Sequence, residues 1–404
     1  MLTRNYTLTA AVAALTTTTA AAYQAEANNV MFTATNTELT ADSAAVQNLF
    51  NGWSSQFVKS YASVEEEAKR RAIWLKNHLM IMEHNAGDSG FKLGHNQFSD
   101  MTYEEFRAFV KIGEYAAPVR AGVKPEAVEE EEEEVVAVDP VEEIMADETD
   151  GVAEKRKLRA LADEGEEDER VTATASAGGL PEYVNWVEQG AVSSVKNQGM
   201  CGSCWSFSAV GAIEGAFAIH SGELVEFSEQ QLVDCDTKGA EPDMGCNGGL
   251  MDSAFAFEKT EKGLCTYQDY PYVGKQQTCA DTSCDNVEGS AVTGFVDVTP
   301  ESNEALMEAL TMQPVAIAIE ADQLFFQFYR SGVFSSKCGT NLDHGVLAVG
   351  YGTDEESGSE YWLVKNSWGE TWGESGYIRL VRDSTKDDAG QCGIMLMASY
   401  PTYN

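Results

Sequence analysis

The stretch Gln198-Gly199-Met200-Cys201-Gly202-Ser203-Cys204-Trp205-Ser206 constrains this 404-residue chain more than any other, because it sets a cysteine at the start of an apolar helix with a glutamine six residues before it. From Trp205 to His220 the apolar side chains Phe207, Val210, Ile213 and Phe217 follow a helical spacing that ends at Ser221-Gly222. Cys204 therefore belongs to the first turn, where N–H groups lack intrahelical acceptors and the positive end of the macrodipole favours a thiolate. A thiolate that attacks a carbonyl needs a proton carrier for the leaving group. Of the two histidines beyond residue 179, His220 lies on the same helix as Cys204, roughly 24 Å along its axis at about 1.5 Å per residue. His344 is the candidate base.

His344 opens the run Gly345 to Tyr351, and the polar stretch Thr353 to Ser359 separates it from Tyr361 to Asn366; both runs read as strands. A hairpin folded symmetrically about residue 355 sets His344 opposite Asn366, close enough for the amide to hold one ring nitrogen and aim the other at Cys204. Asp343 points to the other face of the strand and makes a poor third member. A one-residue slip in register would spoil this geometry.

These residues resemble the papain-like cysteine peptidases, in particular the cathepsin L group. Cys201 to Trp205 matches that family's local signature Cys-Gly-Ser/Ala-Cys-Trp/Tyr, so the match is one of recognition. It is reinforced by Gly245-Cys246-Asn247-Gly248-Gly249, Tyr270-Pro271-Tyr272, Asp343-His344-Gly345, Asn366-Ser367-Trp368-Gly369 and Trp372-Gly373, and it runs over residues 180–404. The resemblance implies an α+β, two-lobed domain: a helical lobe carrying Cys204 and a β-barrel-like lobe carrying His344 and Asn366. It implies Cys204 as nucleophile, His344 as general acid–base, Asn366 as orienting residue, Gln198 as oxyanion donor and Trp368 as cover for the His–Asn pair. The substrate subsites would use Gly248, Gly249, Leu250, Met251, Ala318, Leu342, Trp368 and Met397, with an apolar pocket for the second residue before the scissile bond.

The nine cysteines all lie beyond residue 200. By the same resemblance they pair as Cys201–Cys246, Cys235–Cys279 and Cys338–Cys392. Cys265 and Cys284 are then inferred to form a fourth bridge, with an exchange of partners between Cys279 and Cys284 left open. The implied activity is cysteine endopeptidase, with protein and peptide substrates, no cofactor and no metal. Two alternatives stand beside it: a catalytically inactive papain-like binding protein, and a Cys-x-x-Cys redox protein. A zinc site would need two more ligands at suitable spacing.

A formal net charge of −38 argues against a nucleic-acid partner, since neutralising phosphates needs clustered Lys and Arg. Residues 180–404 alone carry 33 acidic against 11 basic side chains, a net of −22. Arg4, the run Leu8 to Ala22 and the small residues after it read as a secretory signal over 1–22, and no other segment approaches the roughly 18 apolar residues of a membrane helix. A secreted or lysosomal/vacuolar destination, no membrane partner and a monomeric chain are expected.

Upstream, Glu67, Arg71, Trp74, Asn77, Ile81 and Asn85 recur every three or four residues and line one face of a long helix. Gly94-x-Asn96-x-Phe98-x-Asp100 then reads as an extended segment with alternating outward groups, Asp100 being expected to pair with Arg71 or neighbouring basic residues. Together they resemble the inhibitory proregion of the cathepsin L-like enzymes, so the peptidase would be a zymogen with a mainly helical prodomain over 45–120 as its own inhibitor. Residues 121–179, with six consecutive carboxylates at Glu129 to Glu134, read as an acidic disordered linker that the family pattern lacks, the sharper alternative being a calcium- or partner-binding tail.

Overall fold

The computed structural model describes residues 40–110 and 179–403, apart from residues 42, 238–241, 262, 281–283 and 386–387. The expected leader over 1–22 and the linker up to residue 178 lie outside the described residues.

Two helices open the described part of the chain, α1 (Ala44–Gln56) and α2 (Val64–Ala86), each capped by a serine oxygen: Ser43 Oγ accepts from Val46 N and Ser63 Oγ from Glu66 N. Glu65, Glu66 and Glu67 complement the positive end of α2. Their facing stripes bury Val46, Leu49, Phe50, Trp53, Trp74 and Leu75 as a separate core. The expected face of α2 is largely realised, with Trp74, Asn77 and Ile81 buried and Asn85 Nδ2 donating to the Leu93 carbonyl at 2.8 Å.

After β1 (Phe91–Leu93), the segment to Asp100 is not extended, as the sequence suggested, but folds into a turn. Asn96 causes this: its Oδ1 accepts from Phe98 N at 2.9 Å, while its own N–H reaches Ser99 Oγ at 3.0 Å. Asn96, Phe98, Ser99 and Asp100 are consequently all buried. Asp100 does not pair with Arg71. It binds Lys59 Nζ at 2.8 Å and the Tyr61 hydroxyl at 2.9 Å, whereas Arg71 turns to the Ala41 carbonyl and Glu67. The turn points the Asp100 carboxylate at the α1–α2 connection. α3 (Tyr103–Val110) follows.

Beyond residue 179 a helical part and a sheet part meet. α4 (Cys204–Ser221) is apolar almost all round, and most of its residues are buried, as expected of a helix enclosed on every side. Gly211 and Gly215 allow that enclosure, since a Cβ would lie 2.9 Å from Leu347 at the first and 2.5 Å from Pro314 at the second. Gly222, at φ +80°, ends the helix where the sequence placed its stop. α5 (Glu229–Cys235) and α6 (Met251–Thr260) pack against α4.

The sheet contains β3 (Gly294–Asp297), β4 (Val315–Ile319), β5 (Tyr329–Phe334), β6 (His344–Thr353), β7 (Glu360–Lys365), β8 (Tyr377–Val381) and β9 (Ala398–Thr402) in the order β1-β5-β8-β7-β6-β4-β9-β3, with β2 (Val184–Asn185) paired to β6. α7 (Asn303–Met312) packs on β6, and the short α8 (Leu324–Gln327) precedes β5. β1 adds antiparallel to β5, so the proregion extends the sheet by one strand. The hairpin β6–β7 forms, but not symmetrically about residue 355. Next to the loop Thr353 pairs with Glu360 and Tyr351 with Trp362, already displaced from that symmetry, and a bulge between Ala348 and Gly350 then shifts the register again, so that Leu347 pairs with Lys365.

The four disulfides are Cys201–Cys246, Cys235–Cys279, Cys265–Cys284 and Cys338–Cys392. Cys201 is thereby bound to Cys246 and not to Cys204, which removes the Cys-x-x-Cys redox pair.

Candidate active site

Cys204 opens α4 behind Ser203, whose hydroxyl engages the Tyr272 hydroxyl at 2.6 Å instead of capping the helix. It is buried and is the one cysteine outside a disulfide. The helix start favours both a thiolate on Cys204 and a negative oxygen beside it.

Gln198 is held from three sides. Its Nε2 donates to the Cys201 carbonyl at 3.0 Å, its Oε1 accepts from Ser367 Oγ at 2.6 Å, and its carbonyl accepts from the Tyr272 hydroxyl at 2.7 Å. A primary amide has two N–H donors. With Cys201 engaging one of them, the orientation set by Ser367 leaves the second as a preorganised donor beside the helix start.

His344 begins β6, and its Nε2 lies 2.8 Å from Asn366 Oδ1. Ser367 N–H donates to that same oxygen at 2.7 Å, which settles which end of the amide faces the ring. An oxygen can only accept, so Nε2 carries the hydrogen and Nδ1 is left to exchange a proton. The two residues thus meet although they are not directly opposed in the ladder: Asn366 follows the last residue of β7, and its backbone N–H is anchored on the Gly376 carbonyl at 2.9 Å. Asp343 Oδ1 accepts instead from Ala321 N at 2.7 Å, in keeping with its expected exclusion. Burial pushes the His344 imidazole down to about 4, partly offset by Asn366.

Trp368 stacks on His344 with ring centroids 4.7 Å apart and planes inclined by 24°. The proregion packs on the same indole. Phe98, Phe106 and Phe109 approach Trp368 at 5.4, 5.6 and 6.0 Å, and Gln97 Nε2 donates to the Trp368 carbonyl at 2.6 Å. Asn96 Nδ2 donates to the Gln327 carbonyl at 2.7 Å, and Arg107 Nε binds Asp322 Oδ2 at 2.9 Å.

The expected subsite residues fall into two groups. Met251 and Ala318 are buried in one apolar cluster against which Leu342 and Met397 pack half-buried. Gly248 has φ +112°, and a Cβ on Gly249 would lie 2.6 Å from Trp205, so that backbone lies flat on the indole. Leu250 N donates to Asp243 Oδ1 at 2.8 Å. Burial first, then the neighbouring Asp236, pushes the Asp243 carboxyl up.

Sequence reasoning missed several supporting residues. Ser367 and Tyr272, which hold Gln198, stood inside quoted motifs without a role. Lys196 bridges Glu214 at 3.0 Å and Glu229 at 2.6 Å, and Lys365 Nζ reaches Ser193 Oγ at 3.0 Å beneath the site. The signal for this network was Glu214, a lone charge inside an otherwise apolar helix, which requires a buried partner. Arg107 was not singled out either.

Residues 180–402 match the papain family cysteine protease domain, and residues 50–106 match the cathepsin propeptide inhibitor domain. The chain belongs to the papain family of cysteine proteases. It is 41% identical over 357 residues to the senescence-specific cysteine protease SAG12 of Arabidopsis thaliana, covering 87% of this chain and 88% of that protein. It is 40% identical over 354 residues to the cysteine protease XCP2 of the same plant, covering 88% and 85%. Among solved structures, the proform of the ragweed pollen allergen Amb a 11, a cysteine protease, aligns with TM-score 0.69 at 35% identity, covering 90% of this chain and 97% of that one. Digestive procathepsin L 3 of Tenebrio molitor larval midgut gives 0.68 at 34%, covering 89% and 100%. This papain-family chain is therefore a cysteine endopeptidase with an inhibitory propeptide, on a two-lobed α+β fold. Among the described residues, no helix is long and apolar enough to cross a membrane, and no cluster of three or more His, Cys, Asp or Glu is arranged to hold a metal ion.

Proposed function

We propose that Cys204 attacks the scissile carbonyl as a thiolate, that His344 carries the proton to the leaving amine through Nδ1, and that water activated by the same imidazole hydrolyses the acyl-enzyme. Asn366 orients the ring, and Gln198 with the start of α4 stabilises the oxyanion. The observation that carries this assignment is the His344 Nε2–Asn366 Oδ1 hydrogen bond at 2.8 Å, because it fixes the tautomer that leaves Nδ1 for proton transfer.

The second residue before the scissile bond enters the pocket of Leu250, Met251, Ala318, Leu342 and Met397 and is apolar. The chain is secreted or directed to a vacuole or lysosome, a destination supported by its four disulfides. The prodomain over 45–120 holds it as a zymogen until cleavage before Leu180, within or after the acidic linker. Labelling the acid-activated protein with the epoxide E-64 and mapping the adduct tests the assignment: modification at Cys204 with loss of proteolysis is expected, and an adduct elsewhere with proteolysis intact would refute it.

A further inference from the structure

β4 ends at Ile319, which pairs across the ladder with His344, and the chain then turns through Glu320, Ala321 and Asp322 beside that histidine. Three carboxyl groups converge there, with Glu320 5% exposed, Asp322 4% and Asp343 3%. Glu320 Oε2 accepts from Asn341 N at 2.6 Å, and Gln323 Nε2 donates both to Glu320 Oε1 at 2.5 Å and to Asp322 Oδ1 at 3.0 Å. Asp343 Oδ2 is buried and accepts no hydrogen bond. Burial, together with Asp322 and Glu320 as like-charged neighbours, pushes Asp343 up to about 7.

A guanidinium already sits on this cluster. Arg107 Nε binds Asp322 Oδ2 at 2.9 Å, its charge is stabilised in turn by Asp322 and Asp343, and the ring of Tyr103 lies 5.5 Å below it. The arginine belongs to α3 of the propeptide, the same helix whose Phe106 and Phe109 cover Trp368. Its side chain remains 45% exposed, so it reaches the acids across an open rim. Loss of the propeptide removes this cation and opens the rim of the cluster to another one.

The side of the cleft follows from the chemistry. The general acid gives its proton to the leaving amine, so substrate residues after the scissile bond pass over the His344 side. Asp343 precedes His344 in the chain, and the Glu320–Asp322 turn adjoins it across the ladder. We propose that Glu320, Asp322 and Asp343 form a subsite for an arginine or lysine side chain on the leaving-group side of the scissile bond, and that Arg107 occupies this subsite in the zymogen. The subsite rests on the peptidase assignment above.

The test uses mature enzyme whose active sites have been titrated with E-64. Internally quenched peptides keep one sequence before the scissile bond and carry Arg, Gln or Glu at the first or second position after it. Arg is expected to exceed Gln in kcat/KM by about five- to tenfold, the size of one partly screened charge pair, and Glu by more. Asp322→Asn should bring the Arg:Gln ratio to about twofold or below, with Glu320→Gln in the same direction, and added salt should narrow the wild-type ratio. A ratio is independent of how much of a variant folds. Equal rates for Arg, Gln and Glu in the wild-type enzyme, or a full Arg preference surviving in Asp322→Asn, would overturn the subsite while leaving the peptidase standing. An enzyme that neither cleaves any of the peptides nor reacts with E-64 would overturn both.

Discussion

The ring of propeptide residue Phe98 meets the indole of Trp368 edge-on, with centroids 5.4 Å apart and planes at 82°, while the same indole stacks on His344. The propeptide is thereby coupled to the proton carrier through one intervening ring. Phe98 is 7% exposed, so truncation leaves a cavity directly over Trp368. Phe98→Ala should cost the interface about 3 kcal/mol and raise the rate at which the intact zymogen reacts with E-64 at pH 7 by about two orders of magnitude. An unchanged labelling rate would show that the contact does not hold the zymogen closed.

The amide of Gln198 yields a second expectation. Gln198→Ala removes the donor but leaves Cys204, His344 and Asn366 in place, so kcat should fall by about 10²–10³ with a smaller change in KM. Ser367→Ala, which removes only the hydroxyl that orients the amide at 2.6 Å, should fall between this variant and the wild type. Cys204→Ala should abolish turnover. Steady-state kinetics on one fluorogenic peptide ranks all three, and turnover by Gln198→Ala equal to that of the wild type would remove the residue from the oxyanion site.

Much of this site was legible in the chain. The helix start at Cys204, its stop at Gly222, the strand that opens at His344 and the strand that leads up to Asn366 follow from apolar periodicity and a glycine, which are local signals. What failed was geometry set by non-local packing. Symmetry of the β6–β7 loop predicts direct opposition of His344 and Asn366. The loop breaks it first, pairing Thr353 with Glu360, and a bulge near Gly350, where a Cβ would lie 2.0 Å from the Val184 carbonyl of the paired strand β2, shifts the register again. Their meeting instead depends on where Asn366 leaves the end of β7. Asp100 likewise found Lys59 and Tyr61 because Asn96 turns the chain, which alternation of polar and apolar residues cannot show.

The wall beside Leu250 predicts a substrate preference. Met251, Ala318, Leu342 and Met397 offer no carboxylate to the pocket. An arginine entering there would bury an unpaired charge. Matched fluorogenic substrates that differ only at the second residue before the bond should give Phe over Arg by at least about tenfold in kcat/KM, with Leu close to Phe. Equal rates for Phe and Arg would contradict an apolar pocket.

A pair of histidines in the propeptide predicts its behaviour in acid. His78 Nδ1 and His95 Nε2 lie 2.9 Å apart, and both rings stack on Trp74 with centroids 4.9 and 4.6 Å away. One hydrogen joins the two nitrogens, so the pair is intact only while at least one ring is neutral. Burial pushes His78 down to about 4, and burial, then the neighbouring His78, pushes His95 well below the ordinary histidine range. An unfolded histidine titrates near about 6.5, so between there and about pH 4 the unfolded propeptide binds more protons than the folded one. Its stability is complete above about 6.5 and declines as pH falls toward 4, by about 3 kcal/mol for His78 alone. His78→Gln keeps a neutral donor opposite His95 and deletes one titrating group, so the acid shift of propeptide unfolding should move to lower pH by about one unit. Thermal unfolding of the Cys204→Ala zymogen, with and without His78→Gln, measures this across pH 7 to 4 in the absence of self-cleavage. Curves with the same pH dependence would exclude the histidine pair as the acid trigger.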